Sequence, residues 1–105
     1  MNPNGAAPRW TGPRPAPLSL RLYVAGDLPQ STQAIANLRH LCTLPAMPAV
    51  ELEIVDVLHA PARALEDGIV ATPTLVRLAP APVVRVLGAL SDRDSVRAAL
   101  GLPPS

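Results

Sequence analysis

One cysteine, two histidines and a few carboxylates are the reactive side chains of this 105-residue chain. Cys42 stands alone, so no internal disulfide, CxxC redox pair or zinc knuckle can form. It falls late in an apolar helical stripe and reads as a small buried hydrophobe. His40 and His59 have no second ligand at metal spacing and read as surface or boundary residues. Asp56 has no partner base or nucleophile, and at the end of an apolar stretch it is placed to accept backbone hydrogen bonds. Ser91 reads as a helix cap. All nine basic residues are arginine, which excludes a Schiff-base lysine and a P-loop lysine. The net charge of +1 gives no electrostatic case for nucleic acid or an anionic membrane. No catalytic, metal or cofactor site emerges from these residues.

The elements that carry these residues follow from the apolar pattern. Residues 1–17 hold five of the fourteen prolines and no acidic residue, and are expected to form a flexible Pro-rich extension containing Trp10. Order is expected over 18–102, with 103–105 as the C-terminal end. Leu18, Leu20, Leu22 and Val24 alternate with polar residues as in a strand. Ser31 is placed to cap a helix whose inner face is Ala34, Ile35, Leu38, Leu41 and Cys42. Val50–Val57 reads as a second strand with Glu51 and Glu53 on its outer face. Pro61 suits the first turn of a short helix running to about Asp67, with Gly68 as its stop. Thr74–Leu78 and Val83–Leu87 read as strands joined by the stiff turn "APAP" (79–82), and Gly88 breaks the second. Ser91 and Asp94 suggest a capping box for a last helix that buries Val96, Ala99 and Leu100. No apolar run reaches the length of about 18 residues that a membrane helix needs, and no signal-peptide apolar region precedes the first strand. A cytoplasmic protein is expected.

The order β-α-β-α-β-β-α implies a parallel crossover followed by an antiparallel hairpin. This is the layout of a thioredoxin-like α/β domain with a mixed four-stranded sheet. In that fold a proline, usually cis, precedes the third strand, and Pro73 in "ATPTL" (71–75) occupies the position. A cis X-Pro bond costs only about 0.5–1 kcal/mol over trans. The stretch that would carry the redox pair, "GDLPQSTQ" (26–33), contains no cysteine, so the scaffold is expected without its redox chemistry.

The segments "LRLYVAGDLPQS" (20–31), "IVDVLHAP" (54–61) and "GIVATPTLVRLAPAPVVRVLGALSDRDSV" (68–96) resemble the KaiB family, small circadian clock proteins of cyanobacteria found also in other bacteria. The resemblance spans roughly residues 18–102. It implies a non-enzymatic binding protein that docks on KaiC, a hexameric P-loop ATPase, regulates its phosphorylation and ATPase cycle, and in the full clock captures KaiA. It also implies fold switching between a thioredoxin-like state that binds KaiC and a state with a repacked C-terminal half that forms a tetramer. Pro73, Gly88, Ala99 and Gly101 are the expected determinants of the fold state. Cyanobacterial relatives usually carry Gly and Asp where this chain has Ala99 and Gly101, and they continue into an acidic tail where this sequence ends at Ser105. Alanine is better than glycine inside a helix by about 1 kcal/mol. A thioredoxin-like resting state, monomeric or weakly dimeric, is therefore expected, with the tetramer-type ground-state fold as the alternative.

The resemblance maps the KaiC-binding surface onto Leu58–Pro73, with Leu58, Asp67, Gly68, Ile69, Val70, Thr72 and Pro73 as candidates. Ile69 and Val70 lie between a helix stop and a strand start, where an apolar pair can anchor a partner or where one of them can plug the core. The family's KaiA-contacting edge, often basic, carries Glu51 and Glu53 here, which argues against KaiA and for a system with the KaiC-like ATPase alone, an hourglass-like timer. The same glutamates also discourage edge-to-edge pairing. Arg77 and Arg85, on facing strands, are expected at the surface or against an acidic partner. A KaiB-like interaction module for a histidine kinase or stress-response regulator is the alternative function.

Overall fold

The computed structural model describes residues 18–45 and 47–102. The extension expected over 1–17, and the end expected over 103–105, lie outside the described residues. In chain order the elements are β1 (Leu18–Val24), α1 (Pro29–Cys42), β2 (Val50–Asp56), α2 (Pro61–Glu66), β3 (Thr74–Ala79), β4 (Val84–Leu87) and α3 (Arg93–Ala99). The sheet order is β2-β1-β3-β4, with β1 parallel to β2 and antiparallel to β3, and β3 antiparallel to β4. This is the thioredoxin-like arrangement expected from the element order.

The central strands β1 and β3 are covered on both faces, which explains why "LSLRLYV" buries Tyr23 as well as its alternating leucines. On one face Leu18, Leu20, Leu22, Val24 and Leu75 pack against Ala34, Leu38 and Leu41 of α1 and Val96 and Leu100 at α3. On the other, Tyr23, Val55 and Val76 pack against Ala64 of α2, with Val57, Ala60, Ile69 and Leu78 around them. Each fully buried aliphatic side chain stabilises the fold by about 1.5–3 kcal/mol. The Thr72–Pro73 bond is cis, as are Ala79–Pro80 and Ala81–Pro82. Pro73 is fully buried, and its carbonyl accepts the Gly88 N–H (3.0 Å).

Four local expectations are corrected. Ser31 does not cap α1: the helix begins two residues earlier at Pro29, whose missing N–H suits the first turn. The buried Ser31 hydroxyl instead accepts the Ala25 N–H (3.0 Å). Ser91 and Asp94 do not box α3 either. Asp92 is its N-cap, accepting the Ser95 N–H (3.2 Å) and hydroxyl (2.8 Å). These bonds hold the Asp92 carboxyl below the ordinary carboxylate value. The buried stripe of α3 is rotated towards Val96, Arg97 and Leu100, leaving Ala99 exposed. Arg77 is buried rather than superficial: Nη1 donates to the Leu100 carbonyl (2.6 Å) and Nη2 to the Pro82 carbonyl (2.8 Å). Because Arg77 pairs with Val84 and Arg85 with Val76, the two arginines point to opposite faces of the sheet.

Candidate partner-binding surface

The turn from α2 to β3 is built by Gly68. The Ile69 N–H returns to the Ala64 carbonyl (2.9 Å) and the Gly68 N–H to the Leu65 carbonyl (3.1 Å), a Schellman ending. It needs a left-handed residue, and Gly68 has φ +66°. The motif brings Ile69 back over Ala64 and into the inner cluster. The next side chain then points outward: Val70 is 92% exposed. Of the two roles open to the pair, anchoring a partner or plugging the core, Ile69 is half-buried towards the core and Val70 is presented. Beyond it, Thr74 Oγ1 donates to the Ala71 carbonyl (2.6 Å), closing the approach to β3. Thr72 is half-buried and Pro73 lies inside.

The carboxylate of Asp67 faces inward. Its Oδ2 accepts from the Tyr23 hydroxyl and from Arg21 Nη1 (3.0 Å). On the other flank, Arg85 donates from Nη2 to the Asp67 carbonyl and from Nη1 to the Gly68 carbonyl (3.0 Å). Arg21 extends the network to the sheet edge, its Nε donating to Glu53 Oε1 (2.8 Å). Arg63 binds the same carboxylate with two bonds, Nη1 to Oε2 (2.7 Å) and Nη2 to Oε1 (2.8 Å). Hydrogen bonds from Arg63 and then Arg21 lower the Glu53 pKa from 4.5 to about 2. Glu51, on the same strand, is exposed, so the acidic edge expected from sequence is present with one carboxylate paired and one facing water.

At the end of β2, Asp56 Oδ1 accepts the N–H groups of Leu58 (2.9 Å) and Gly26 (3.1 Å), the backbone role expected of it. Those bonds, Leu58 first, lower its pKa. Leu58 is 69% exposed beside Gly26. Two further apolar residues stand out that sequence reading passed over: Leu65 on α2 is 81% exposed and Leu87 on β4 is 61% exposed. Both were legible. Leu65 follows Ala64 in a six-residue helix and cannot share its buried face, and Leu87 has the parity of Arg85 rather than of Val84 and Val86. Arg21, Tyr23 and Arg85 were not singled out as supports of the loop, because their partners are 17 to 46 residues away in sequence.

The remaining reactive residues behave as surface or packing groups. Cys42 is the last residue of α1, about 20 Å along the helix from its first turn. Burial raises its thiol pKa. His59 is exposed, its Nδ1 3.7 Å from Asp56 Oδ2. His40 Nε2 lies 3.5 Å from Arg93 Nη1 at the rim of a cleft of about 510 Å³ between α1 and the start of α3. Among the described residues, no helix is long and apolar enough to cross a membrane.

Comparison with known proteins bears on the whole arrangement. The domain model described as "KaiB domain" matches residues 21–102. The circadian clock oscillator protein KaiB of Synechococcus sp. strain RCC307 is 45% identical over 83 residues, 79% of this chain and 76% of that one. That of Acaryochloris marina is 43% identical over 79% of this chain and 80% of its own. In structure, the N-terminal domain of Synechococcus elongatus SasA superposes with a TM-score of 0.67 at 22% identity, covering 93% of this chain and 98% of that domain. Mitochondrial thioredoxin 3 of Saccharomyces cerevisiae gives 0.65 at 21%, covering 80% and 77%. These two likenesses establish a thioredoxin-like fold. The domain match and the sequence identities establish the lineage: the chain belongs to the KaiB family.

Proposed function

We propose that this chain is a non-catalytic adaptor that docks on a KaiC-like hexameric ATPase and regulates its phosphorylation and ATPase cycle. The docking surface is the Leu58–Pro73 stretch, with Val70 as its apolar anchor and the exposed Leu58 and Leu65 elsewhere in the same stretch. The observation that carries this reading is the division of the Ile69–Val70 pair. Gly68 turns Ile69 inward and leaves Val70 92% exposed on a turn tied down from both sides. A large apolar side chain on a held backbone is the kind of group that dominates protein interfaces. The test is binding of the full chain to the hexamer with ATP present. Val70→Asp is expected to weaken binding at least tenfold, since a charge replaces a desolvated anchor. Unchanged affinity would overturn the assignment.

The exposed Glu51 and the doubly paired Glu53 stand where the family's edge is often basic and would repel a partner surface complementary to a basic edge, so the proposed system contains the ATPase and not KaiA. The proposed resting state is thioredoxin-like and monomeric or weakly dimeric. Ala99 supports it as a good helix former at an exposed helical position, where propensity acts with little interference from packing. Gly101 supports it as the left-handed residue that ends α3.

A further inference from the structure

The turn that carries Val70 is gripped from two strands that are not neighbours in the sheet. From β1, the Tyr23 hydroxyl and Arg21 Nη1 both donate to Asp67 Oδ2. From β4, Arg85 donates to the carbonyls of Asp67 and Gly68. Tyr23 is fully buried in the cluster with Val55, Ala64 and Val76, so its ring position is fixed by packing and its hydroxyl is aimed by that packing. Arg85 lies along Gly68, its guanidinium 3.8 Å from where a Cβ would stand. A Cβ at that distance would make only ordinary van der Waals contact, so it is the positive φ of Gly68, and not space for Arg85, that calls for glycine here.

Left to itself, a connecting loop of this kind samples many conformations, and ordering it on binding subtracts from affinity. Four hydrogen bonds to one two-residue segment remove that freedom in the unbound protein. The Asp67 side chain, with Oδ2 taken by two donors, is thereby engaged within the fold.

We propose that Arg21, Tyr23 and Arg85 are positioning residues for partner binding. They hold the Asp67–Gly68 turn in the free protein so that Val70 meets the ATPase already oriented. This rests on the function proposed above.

The test uses the full chain and the ATPase hexamer with ATP, with hydrogen exchange measured on the free chain and affinity on the complex. Tyr23→Phe keeps the buried ring and removes one donor. Arg85→Ala removes the other grip from an exposed position, and Arg85→Lys restores charge without the paired reach. Faster exchange at residues 68–72 is expected in Tyr23→Phe and Arg85→Ala, with unchanged exchange in β1 and β3. A loss of affinity of about tenfold is expected for each, partly recovered in Arg85→Lys. If Val70→Asp loses binding while Tyr23→Phe and Arg85→Ala bind normally, the positioning role is overturned. It is also overturned if these variants bind weakly with no change in loop exchange, since direct contact then explains the loss. Normal binding by Val70→Asp removes the proposed function, and this inference with it.

Discussion

Glu53 carries the clearest pH signature at the scale of single residues. Its folded-state pKa of about 2 lies below the ordinary value of 4.5, so protonation favours the unfolded chain. The stabilisation it provides is complete above the unfolded value and is lost as pH falls from there towards 2. Urea midpoints measured from about pH 5 to about pH 2 are expected to fall more steeply in the natural chain than in Glu53→Gln. Asp56 and Asp92, whose pKa values are also lowered, keep part of the slope in the variant. An identical slope would mean that the Arg21–Glu53–Arg63 cluster has no net preference for the folded state. Gly68→Ala offers a second residue-level prediction. At φ +66° any Cβ is strained, and a loss of about 1–2 kcal/mol is expected in chemical unfolding. Sequence reading identified Gly68 as a helix stop and the Ile69–Val70 pair as apolar and near the surface. It left open which of the two faced out, because that depends on how the Schellman bonds turn the chain over Ala64.

Among the elements, α3 shows both the reach and the limits of pattern. A short helix ending near Leu100 was evident from Val96 and Leu100, but its cap was misassigned and its buried stripe includes Arg97 in place of Ala99. Several Ser and Asp residues crowd the 91–95 stretch, and any of them has the chemistry of a cap, so backbone geometry decides among them. The same ambiguity misled the reading of Ser31, where Pro29 started the helix first. The end of α3 is fixed by Gly101, with φ +74°, its N–H returning to the Ala98 carbonyl (3.1 Å) and that of Leu102 to the Arg97 carbonyl (2.9 Å). A Cβ at this position would stand 3.1 Å from Arg77 Nη1, the guanidinium that binds the Leu100 carbonyl. Gly101→Ala is therefore expected to lower stability by about 1–2 kcal/mol, read from denaturant midpoints. Arg77→Leu, which leaves the Leu100 and Pro82 carbonyls without this donor, is expected to lose about 2 kcal/mol. Arg77 was read as a surface group because an arginine one residue past two buried hydrophobes carries no mark of the helix end waiting above it.

For the whole molecule, the thioredoxin-like layout was legible from the order of apolar patterns and from Pro73 at the entry to β3. The strand order and the division of the helices, α1 and α3 on one face and α2 on the other, then follow from chain connectivity. The network beneath the α2–β3 turn was not legible, because it joins β1, β4 and α2 through side chains whose pairing only the folded sheet defines. If the resting state is thioredoxin-like, light scattering on the free chain gives the mass of a monomer or a concentration-dependent dimer, and amide shifts place residues 93–99 in a helix. A tetramer with strand-like shifts there would refute that reading. The central claim, that this scaffold works by presenting the α2–β3 turn to an ATPase, is tested most directly by hydrogen exchange of the full chain with and without the KaiC-like hexamer in ATP. Added protection at residues 65–72, with the α1 face unchanged, is the predicted result. Protection confined to α1 and α3, or none at saturating hexamer, would contradict it.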